Sequence, residues 1–419
     1  MPYLGDLSHA VVTAALLPCV MIHTVFFESS WKRSAQVSPP LPPSALEATA
    51  LLLSSPAPVD DEPVKEMPLP PAATPLSRAC LHDVAIIGSG VFGSVTVVQH
   101  NISGEYFALK AIAKAAIPSV KLARQAVVER DIMEAVAHPF VATCCGSFQD
   151  DANIYLVSEF IQGGELYSYL FGGAAPRHVS AADLRFYAAN IIKALQGLHA
   201  HGVLYRDLKM ENMVLDAQGY IKLVDMGFAK MMVLADDVGT DRRAKTVCGT
   251  PEYMAPEMLL GKGYGQAVDY WALGVVLYEI ATGGESLFYR NDGSQSKMTA
   301  RIKAVATDGL PTSAAFAKVD ATLRSFITDL LAYDPAKRLG CTADGFRAIE
   351  SHPFFDGMDW AALMEKRLPA PFVPTLDGPA DTRHFPGAPT FESAVEEPLF
   401  EPGCETEIDP KIALVFEGF

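Results

Sequence analysis

Short runs of apolar residues with the spacing of β-strands recur in the chain after residue 80. Strand character appears at residues 85–87, resumes at 96–98 and returns at 106–110, where alternate side chains face the same side of the strand. Residues 140–161 predict two more strands. This part of the chain is therefore expected to form a small β-sheet.

Helical spacing replaces strand spacing further along the chain. A helix is predicted over residues 120–137, because Leu122, Ala126, Glu129 and Met133 fall on one helix face. A strand-rich part followed by a helix-rich part predicts an α+β fold of two lobes with a ligand bound between them. The later helical patterns cover residues 181–201, 268–282 and 322–333.

Residues 7–27 form an apolar stretch without Asp, Glu, Lys or Arg, which is about the length that spans a bilayer. Pro18, two histidines and two threonines in this stretch argue against a span. Lys32 and Arg33 follow it, so a true anchor would leave the remainder of the chain in the cytosol. Two hypotheses stay open for residues 1–38: a membrane anchor, or a packed or poorly ordered segment.

Residues 39–80 have a different composition, with eleven prolines between Pro39 and Pro75 among Ala, Ser and acidic residues. Prolines at this density block both helices and sheet ladders, so the segment is predicted to be a disordered linker. The folded part is expected to begin near Leu81.

Composition and charge narrow the classes of function. A chain of 419 residues with 50% apolar content can bury a large core and should exceed one domain. Its net charge of −16 argues against a nucleic-acid binder and suits a basic peptide substrate. Its seven cysteines include one adjacent pair, Cys144-Cys145, but no C-x-x-C motif. This pattern indicates reduced thiols and a cytoplasmic location.

A glycine-rich turn, G-S-G-V-F-G, lies between the first two predicted strands. Because it leads into a strand and not a helix, it favours a hairpin lid over phosphates, not a dinucleotide-binding turn. Glycines let backbone N–H groups approach phosphate oxygens closely. On the neighbouring strands, Ala108 and Val95 are expected to cover the adenine, and Lys110 to reach the phosphates. The residues assigned to the turn are Gly88, Ser89, Gly90, Phe92 and Gly93.

The motif Y-R-D-L-K-M-E-N is followed by D-M-G, whose Asp225 lies thirteen residues after Asn212. Phosphoryl transfer needs a base near the incoming hydroxyl and ligands for Mg²⁺, which neutralises the triphosphate of ATP. We expect Asp207 to accept or orient the hydroxyl and Lys209 to lie by the transferring phosphoryl group. Asn212 and Asp225 are expected to hold the metal.

Glu129 is an acid on an otherwise apolar helix face, where an unpaired charge would be costly. An ion pair with Lys110 would remove that cost and would also fix the ammonium group. The alternative is a solvated glutamate at the edge of the apolar stripe.

The ordered set of motifs resembles a eukaryotic protein kinase over about residues 81–355. Y-R-D-L-K, C-G-T-P-E-Y and the tail at residues 356–419 resemble the AGC group, most of all catalytic subunits of cAMP-dependent protein kinase and next the cGMP-dependent enzyme. The resemblance implies a small lobe at 81–160 with an antiparallel sheet and one helix. It also implies a large, mostly helical lobe at 161–355 and a tail that ends in F-x-x-F. The activity it implies is ATP- and Mg²⁺-dependent phosphorylation of Ser or Thr.

The resemblance also assigns roles to single residues. It implies a buried ion pair between Glu257 and Arg338, and it implies that Asp269 braces the catalytic loop. The remaining nucleotide contacts that it implies are Ser158, Glu159, Ile161, Glu165 and Val214.

Substrate choice follows from the same resemblance. Three acids match positions that bind arginines just before the acceptor, where paired carboxylates favour Arg over Lys. Three further residues match an apolar pocket for the residue after the acceptor, so the predicted consensus is Arg-Arg-x-Ser/Thr-hydrophobic. The acids are Glu165, Glu211 and Glu279, and the pocket residues are Val247, Pro251 and Met254.

Thr246 matches the activation-loop phosphosite of the family. Its phosphate would be bound by Arg206 and Lys230, which would order the loop. Arg243 precedes Thr246 by three residues and Val247 follows it, so the site itself looks like a basophilic substrate. We therefore expect autophosphorylation in trans.

Some positions depart from the family pattern. Met226 replaces the usual Phe of D-F-G, and the small Ser158 stands where a bulky residue usually closes the back of the adenine pocket. Lys245 replaces a tryptophan that binds the regulatory subunit in relatives, which leaves open whether a cAMP-binding regulatory subunit is a partner. Insertions near residues 231–243 and 284–298 have no assigned role. A catalytically weak kinase-fold scaffold and a cGMP-dependent-type kinase are the alternatives.

Overall fold

The computed structural model describes residues 76–90, 93–232, 243–290, 295–385 and 408–419. Three predictions lie outside these residues: the apolar stretch, the proline-rich linker up to residue 75, and the role of Phe92 in the glycine turn. Most of the insertion in the activation loop also lies outside them.

The small lobe is built on a five-stranded antiparallel sheet with the strand order β1-β2-β3-β5-β4. Its register places Val95 opposite Lys110, and Ala108 opposite Ser158, so the predicted nucleotide-binding residues are neighbours across three strands. The strands are β1 (Leu81–Gly90), β2 (Gly93–His100), β3 (Tyr106–Ala113), β4 (Cys144–Gln149) and β5 (Asn153–Glu159).

One helix, α1 (Val120–Ala135), packs beside this sheet. Ser119 caps its start by accepting a hydrogen bond from the backbone N–H of Leu122. The helix ends two residues before the predicted residue 137, because Val136 has extended backbone angles. Its buried positions are Ala123, Ala126, Glu129 and Ile132, so Ala126 and Glu129 of the predicted face are buried, whereas Leu122 and Met133 are half-buried.

The large lobe is mostly helical. Within it α3 begins with a reciprocal capping box between Ser180 and Asp183, and α5 is buried along nearly its whole length. Because α5 is buried on all sides, it forms the centre of the lobe. Its Trp271 ring stacks on Phe288. The helices of this lobe are α2 (Leu166–Phe171), α3 (Ala181–Ala200), α4 (Pro256–Leu259), α5 (Ala267–Ala281), α6 (Gln295–Asp308), α7 (Ala321–Leu330) and α8 (Phe346–Glu350), and α9 (Trp360–Met364) follows at the start of the tail.

Two short strand pairs hold the loops that carry the predicted chemistry. The first joins β6 (Val203–Leu204) to β9 (Lys230–Met231), and the second joins β7 (Met213–Leu215) to β8 (Ile221–Leu223). The catalytic motif therefore runs from β6 to β7, and D-M-G begins two residues after the end of β8.

The tail packs against both lobes. Phe372 stacks on Tyr169 of the large lobe with the ring centroids 3.9 Å apart. The last helix, α10 (Pro410–Val415), returns to the small lobe, where Ile412 and Phe416 join the apolar cluster of α1.

The sheet lobe and the helical lobe together confirm the predicted α+β, bilobal fold. Among the described residues, no helix has both the length and the apolar character needed to cross a membrane.

Candidate active site

A cleft of about 250 Å³ lies between the sheet and the large lobe. Most of the predicted nucleotide-binding and metal-binding residues line it. Ser89, Gly90 and Gly93, at the tip of the β1–β2 hairpin, do not, and neither do Asp207 and Lys209. The predicted residues in the lining are Gly88, Val95, Ala108, Lys110, Glu129, Ser158, Glu159, Ile161, Glu165, Glu211, Asn212, Val214 and Asp225.

The hairpin positions differ in whether the packing of the protein requires glycine there. A Cβ at Gly93 would collide with the backbone carbonyl of Ala111, so the fold itself requires glycine there. Cβ atoms at Gly88 and Gly90 would meet their nearest neighbours only at ordinary contact distances, 3.8 and 3.9 Å. Packing within the protein therefore does not require glycine at these two positions. A phosphate that approaches the backbone closely would require it.

Lys110 forms ion pairs with two acids. Its Nζ atom lies 2.7 Å from Glu129 Oε1 and 2.9 Å from Asp225 Oδ1. Burial alone would lower the pKa of Lys110, but the carboxylates of Asp225 and Glu129 outweigh burial and raise it. In turn Lys110 holds the pKa of Asp225 below its ordinary value. The ammonium and the Asp225 carboxylate are thus both charged at neutral pH, as phosphate binding and metal binding require.

Asp225 and Asn212 carry oxygen atoms of the kind that Mg²⁺ prefers. Asp225 has a left-handed backbone, with φ of 58°, and its Oδ1 atom accepts a hydrogen bond from the N–H of Gly227. The Asn212 amide group donates to Asp207, which leaves its oxygen available. Both residues line the cleft, so the donor set fits a magnesium ion shared with nucleotide phosphates.

Asp207 is almost completely buried and has hydrogen-bond partners on both carboxylate oxygens. Oδ1 accepts from the N–H and from the hydroxyl of Thr250, at 2.9 and 2.8 Å. Oδ2 lies 2.9 Å from the Asn212 amide nitrogen and 3.0 Å from Lys209 Nζ. Lys209 also donates to the Thr250 hydroxyl, so these four side chains form one network.

The backbone before Asp207 is braced from α5. Arg206 has φ of 68°, a left-handed conformation that is unfavourable for a non-glycine residue. Asp269, which is fully buried, accepts hydrogen bonds from the N–H groups of Tyr205 and Arg206 at 3.1 and 2.8 Å. His199 contacts the same carboxylate at 2.7 Å. Gly249 faces this turn, where a Cβ would meet the carbonyl oxygen of Arg206.

The predicted substrate-binding acids differ greatly in exposure, and of the three only Glu165 and Glu211 line the cleft. Glu211 is exposed, Glu165 is half-buried, and Glu279 is buried with its carboxylate accepting a hydrogen bond from Tyr253. Burial and the nearby Glu211 raise the pKa of Glu165. Among the predicted pocket residues, Val247 is 54% exposed, Pro251 is half-buried and Met254 is buried.

A scan against family models matches the protein kinase domain to residues 81–355. This chain belongs to the protein kinase family. It is 35% identical over 336 residues to the cAMP-dependent protein kinase catalytic subunit of Dictyostelium discoideum, an overlap of 80% of this chain and 48% of that protein. It is also 35% identical over 343 residues to the cAMP-dependent protein kinase catalytic subunit PRKX of Mus musculus, covering 80% of this chain and 91% of that protein.

A third relative is the RAC family serine/threonine-protein kinase homolog of Dictyostelium discoideum, 36% identical over 334 residues and covering 80% of this chain and 70% of that protein. The predicted resemblance to AGC-group kinases is confirmed. The chain spans about half the length, or less, of several curated relatives that it matches, including the first Dictyostelium protein and the ribosomal protein S6 kinases alpha-4.

The segment around Thr246 is linked to the catalytic loop by hydrogen bonds through Tyr264. Tyr264 donates a hydrogen bond to the Thr246 carbonyl at 2.5 Å and receives one from Arg206 at 3.1 Å. The Thr246 side chain is exposed. Burial, together with the nearby Arg206 guanidinium, lowers the pKa of Lys230, so two cations lie close together on this side of the loop.

Sequence reasoning missed several residues that complete this kinase site. Thr250 is a partner of Asp207 from 43 positions away, and Lys222 donates a 2.5 Å hydrogen bond to Glu159 at the end of β5. Phe160 also lines the cleft, where its ring centroid lies 6.0 Å from that of Phe385, a tail aromatic that the family resemblance itself places over the adenine. Thr250 stands within C-G-T-P-E-Y, so that motif was the available signal. Nothing in the sequence marks Lys222.

Proposed function

We propose that this kinase transfers the terminal phosphoryl group of ATP to Ser or Thr hydroxyls in Arg-Arg-x-Ser/Thr-hydrophobic sequences. The observation that carries the proposal is the network of Asp207, Lys209, Asn212 and Thr250 beside the Lys110–Asp225 pair. It connects a candidate base, Asp207, through Asn212 to the cleft, whose lining supplies the phosphate-binding cation and the metal-binding oxygens.

In the proposed reaction, the substrate hydroxyl oxygen forms a bond to the γ-phosphorus while the bond from that phosphorus to the β,γ-bridging oxygen breaks. ADP leaves, and Asp207 orients the hydroxyl and accepts its proton. Lys110 would hold the α- and β-phosphates, with Glu129 fixing its ammonium group. Lys209 would stabilise the charge on the transferred group. Magnesium, held by Asn212 and Asp225, would neutralise the phosphate charge when bound.

The proposed preference for arginine follows from a group of three acids, two of which line the cleft. Glu165, Glu211 and Glu279 offer carboxylates within one acidic neighbourhood, since Glu211 raises the pKa of both other residues. A guanidinium group, which stays charged and donates two parallel hydrogen bonds, matches carboxylates better than an ammonium does. A cAMP-binding regulatory subunit and a cytoplasmic location remain predictions.

The test is phosphate transfer to an Arg-Arg-x-Ser-Val peptide. We expect Asp207→Asn to lower kcat by about 10²- to 10⁴-fold, the range for losing a positioned acid–base group. Asp225→Ala should lower kcat at least as much, because it removes a proposed magnesium ligand. Glu365→Gln, a surface acid paired with Arg367, should retain wild-type activity. Nucleotide binding without turnover by the wild-type chain would favour the kinase-fold scaffold instead.

A further inference from the structure

Glu279 is a buried acid on α5 that no cation balances within the described part of the chain. It is only 5% exposed. The single hydrogen-bond partner of its carboxylate there is the Tyr253 hydroxyl, which donates to Oε2 at 2.8 Å. A buried carboxylate with one neutral donor is poorly stabilised in its charged form.

The groups that face Glu279 are acids and phenols. Glu252 and Tyr253 come from the turn after Thr250, Glu211 comes from the catalytic loop, and Tyr167 comes from α2. Burial, opposed by the Tyr253 hydrogen bond and helped by the Glu252 and Glu211 carboxylates, raises the pKa of Glu279 to about 8. At neutral pH the free site therefore holds a proton.

We propose that binding of a substrate arginine at Glu279 releases this proton, so that the kinase binds arginine-containing substrates more tightly as the pH rises from 7 to 9. The inference rests on the proposed function. Arginine does not lose its own proton in proteins, so the carboxyl proton passes to solvent. The products are a carboxylate–guanidinium pair and one free proton. The cation that the pocket lacks is thus supplied by the substrate.

The size of the effect follows from the titration of one group. With a midpoint near pH 8, about 0.9 proton should be released for each peptide bound at pH 7, and about 0.1 at pH 9. Peptide affinity should then rise about tenfold between pH 7 and pH 9.

Calorimetry with the full chain measures the released protons directly. An Arg-Arg-x-Ala-Val peptide, which cannot be phosphorylated, is titrated into protein saturated with Mg²⁺ and a non-hydrolysable ATP analogue. Repeating the titration in buffers of different ionisation enthalpy gives the number of protons. Glu279→Gln should release almost none and should lose the pH dependence of affinity. Glu285→Gln, an exposed acid in the loop after α5, should behave as the wild type.

Two further measurements distinguish proton release by Glu279 from a purely structural role of that residue. Tyr253→Phe removes the hydrogen bond that lowers the pKa of Glu279, so the midpoint of release should move to higher pH with release retained. Each of the two peptide arginines is also replaced in turn by citrulline, which has no charge. Proton release should be abolished by only one of the two replacements, the one at the arginine that pairs with Glu279. Release that persists with both single replacements would overturn the proposal.

The outcomes also distinguish this inference from the proposed function. If the chain neither binds nor phosphorylates arginine peptides, the proposed function fails. If it phosphorylates them but the proton count is near zero at pH 7, or is equal in wild type and Glu279→Gln, only the proton coupling fails.

Discussion

At the scale of single residues, the site depends on backbone conformations that most side chains avoid. Arg206 and Asp225 both have positive φ, at 68° and 58°. Conformations of this kind cost about 1–3 kcal/mol each and persist only where surrounding contacts hold them. Asp269 holds the first through two backbone hydrogen bonds, and the N–H of Gly227 contacts the second. The strain therefore coincides with the two loops that carry the proposed chemistry.

Ser158 determines the depth of the cleft. It is paired with Ala108 on one side and Cys144 on the other, and all three side chains are small. The cavity consequently continues behind it to Met133, Leu156 and Met226, which belong to its lining.

We expect purine nucleotides with a bulky apolar group at N6 to bind the wild-type kinase well. Ser158→Met should weaken their binding about tenfold or more, since filling a pocket of this kind changes affinity by about 1–3 kcal/mol. ATP binding, measured alongside by fluorescence competition, should change much less. Equal affinity of the bulky analogue for both proteins would contradict the prediction.

At the scale of elements, α1 is held from two directions. Glu129 joins it to Lys110 of β3, and the end of the chain packs on its other side. Phe416 is 1% exposed, and its carbonyl oxygen accepts a hydrogen bond from Gln149 at 2.6 Å. Arg130 of α1 donates to the Gly418 carbonyl and lies over the Phe419 ring.

Phe416→Ala should therefore loosen α1 and lower both stability and activity. Truncating a buried Phe costs about 3–5 kcal/mol in a protein core, and a loss toward the lower figure is expected for a terminal helix. Thermal unfolding and kcat/KM measure the two effects. Leu414→Ala on the same helix is the matched control, since Leu414 is 62% exposed. If Phe416→Ala lost no more stability and activity than the Leu414→Ala control, the packing of Phe416 would not brace α1.

The segment around Thr246 contacts the catalytic loop through Tyr264 and Arg206, and we predict that Thr246 is phosphorylated by another copy of this kinase. Kinase-dead Asp207→Ala protein, made alone in bacteria, should carry no phosphate on Thr246. It should gain phosphate there when mixed with active wild-type protein and ATP, because the exposed Thr246 follows Arg243 by three residues. Mass spectrometry of the Thr246 peptide is the measurement. Phosphate on the kinase-dead protein made alone would exclude autophosphorylation as its source.

At the scale of the whole molecule, the connection between α1 and β4 contacts the large lobe. The His138 ring lies so close to Gly197 of α3 that a Cβ there would come within 2.7 Å of it. Its Nδ1 atom accepts a hydrogen bond from the N–H of Phe140 at 3.2 Å, which requires an unprotonated nitrogen. Burial, helped by the nearby Lys193, lowers the pKa of His138 to about 4.

The depressed pKa of His138 predicts that the folded protein loses stability in acid. The unfolded chain takes up a proton on His138 near pH 6.5, whereas the folded chain does so only near 4. The contribution of neutral His138 to stability is therefore present above pH 6.5 and is lost as the pH falls toward 4. His138→Asn, whose side-chain oxygen can accept the same hydrogen bond, should lose less Tm over that range than the wild type. Parallel Tm–pH curves for the two proteins would contradict this assignment.

Much of the site was predictable because its signals are local in the sequence. The spacing of Asp207, Asn212 and Asp225, the glycine turn and the period of α1 each depend on short segments with strong backbone preferences. The pairing of Glu129 with Lys110 followed from a general rule, that a charge on an apolar helix face needs a partner. The α+β fold followed from the change of period from strand to helix.

Tertiary structure decided the features that depend on burial and on contacts between distant segments. Thr250 reaches Asp207 across 43 positions and Lys222 reaches Glu159 across 63, and no local pattern encodes either approach. Three glutamates that look alike in the sequence differ in the fold, where only Glu279 is deeply buried. The reason is physical: the sequence lists which groups can ionise, but desolvation and neighbouring charges, which only the folded chain creates, set how each one titrates.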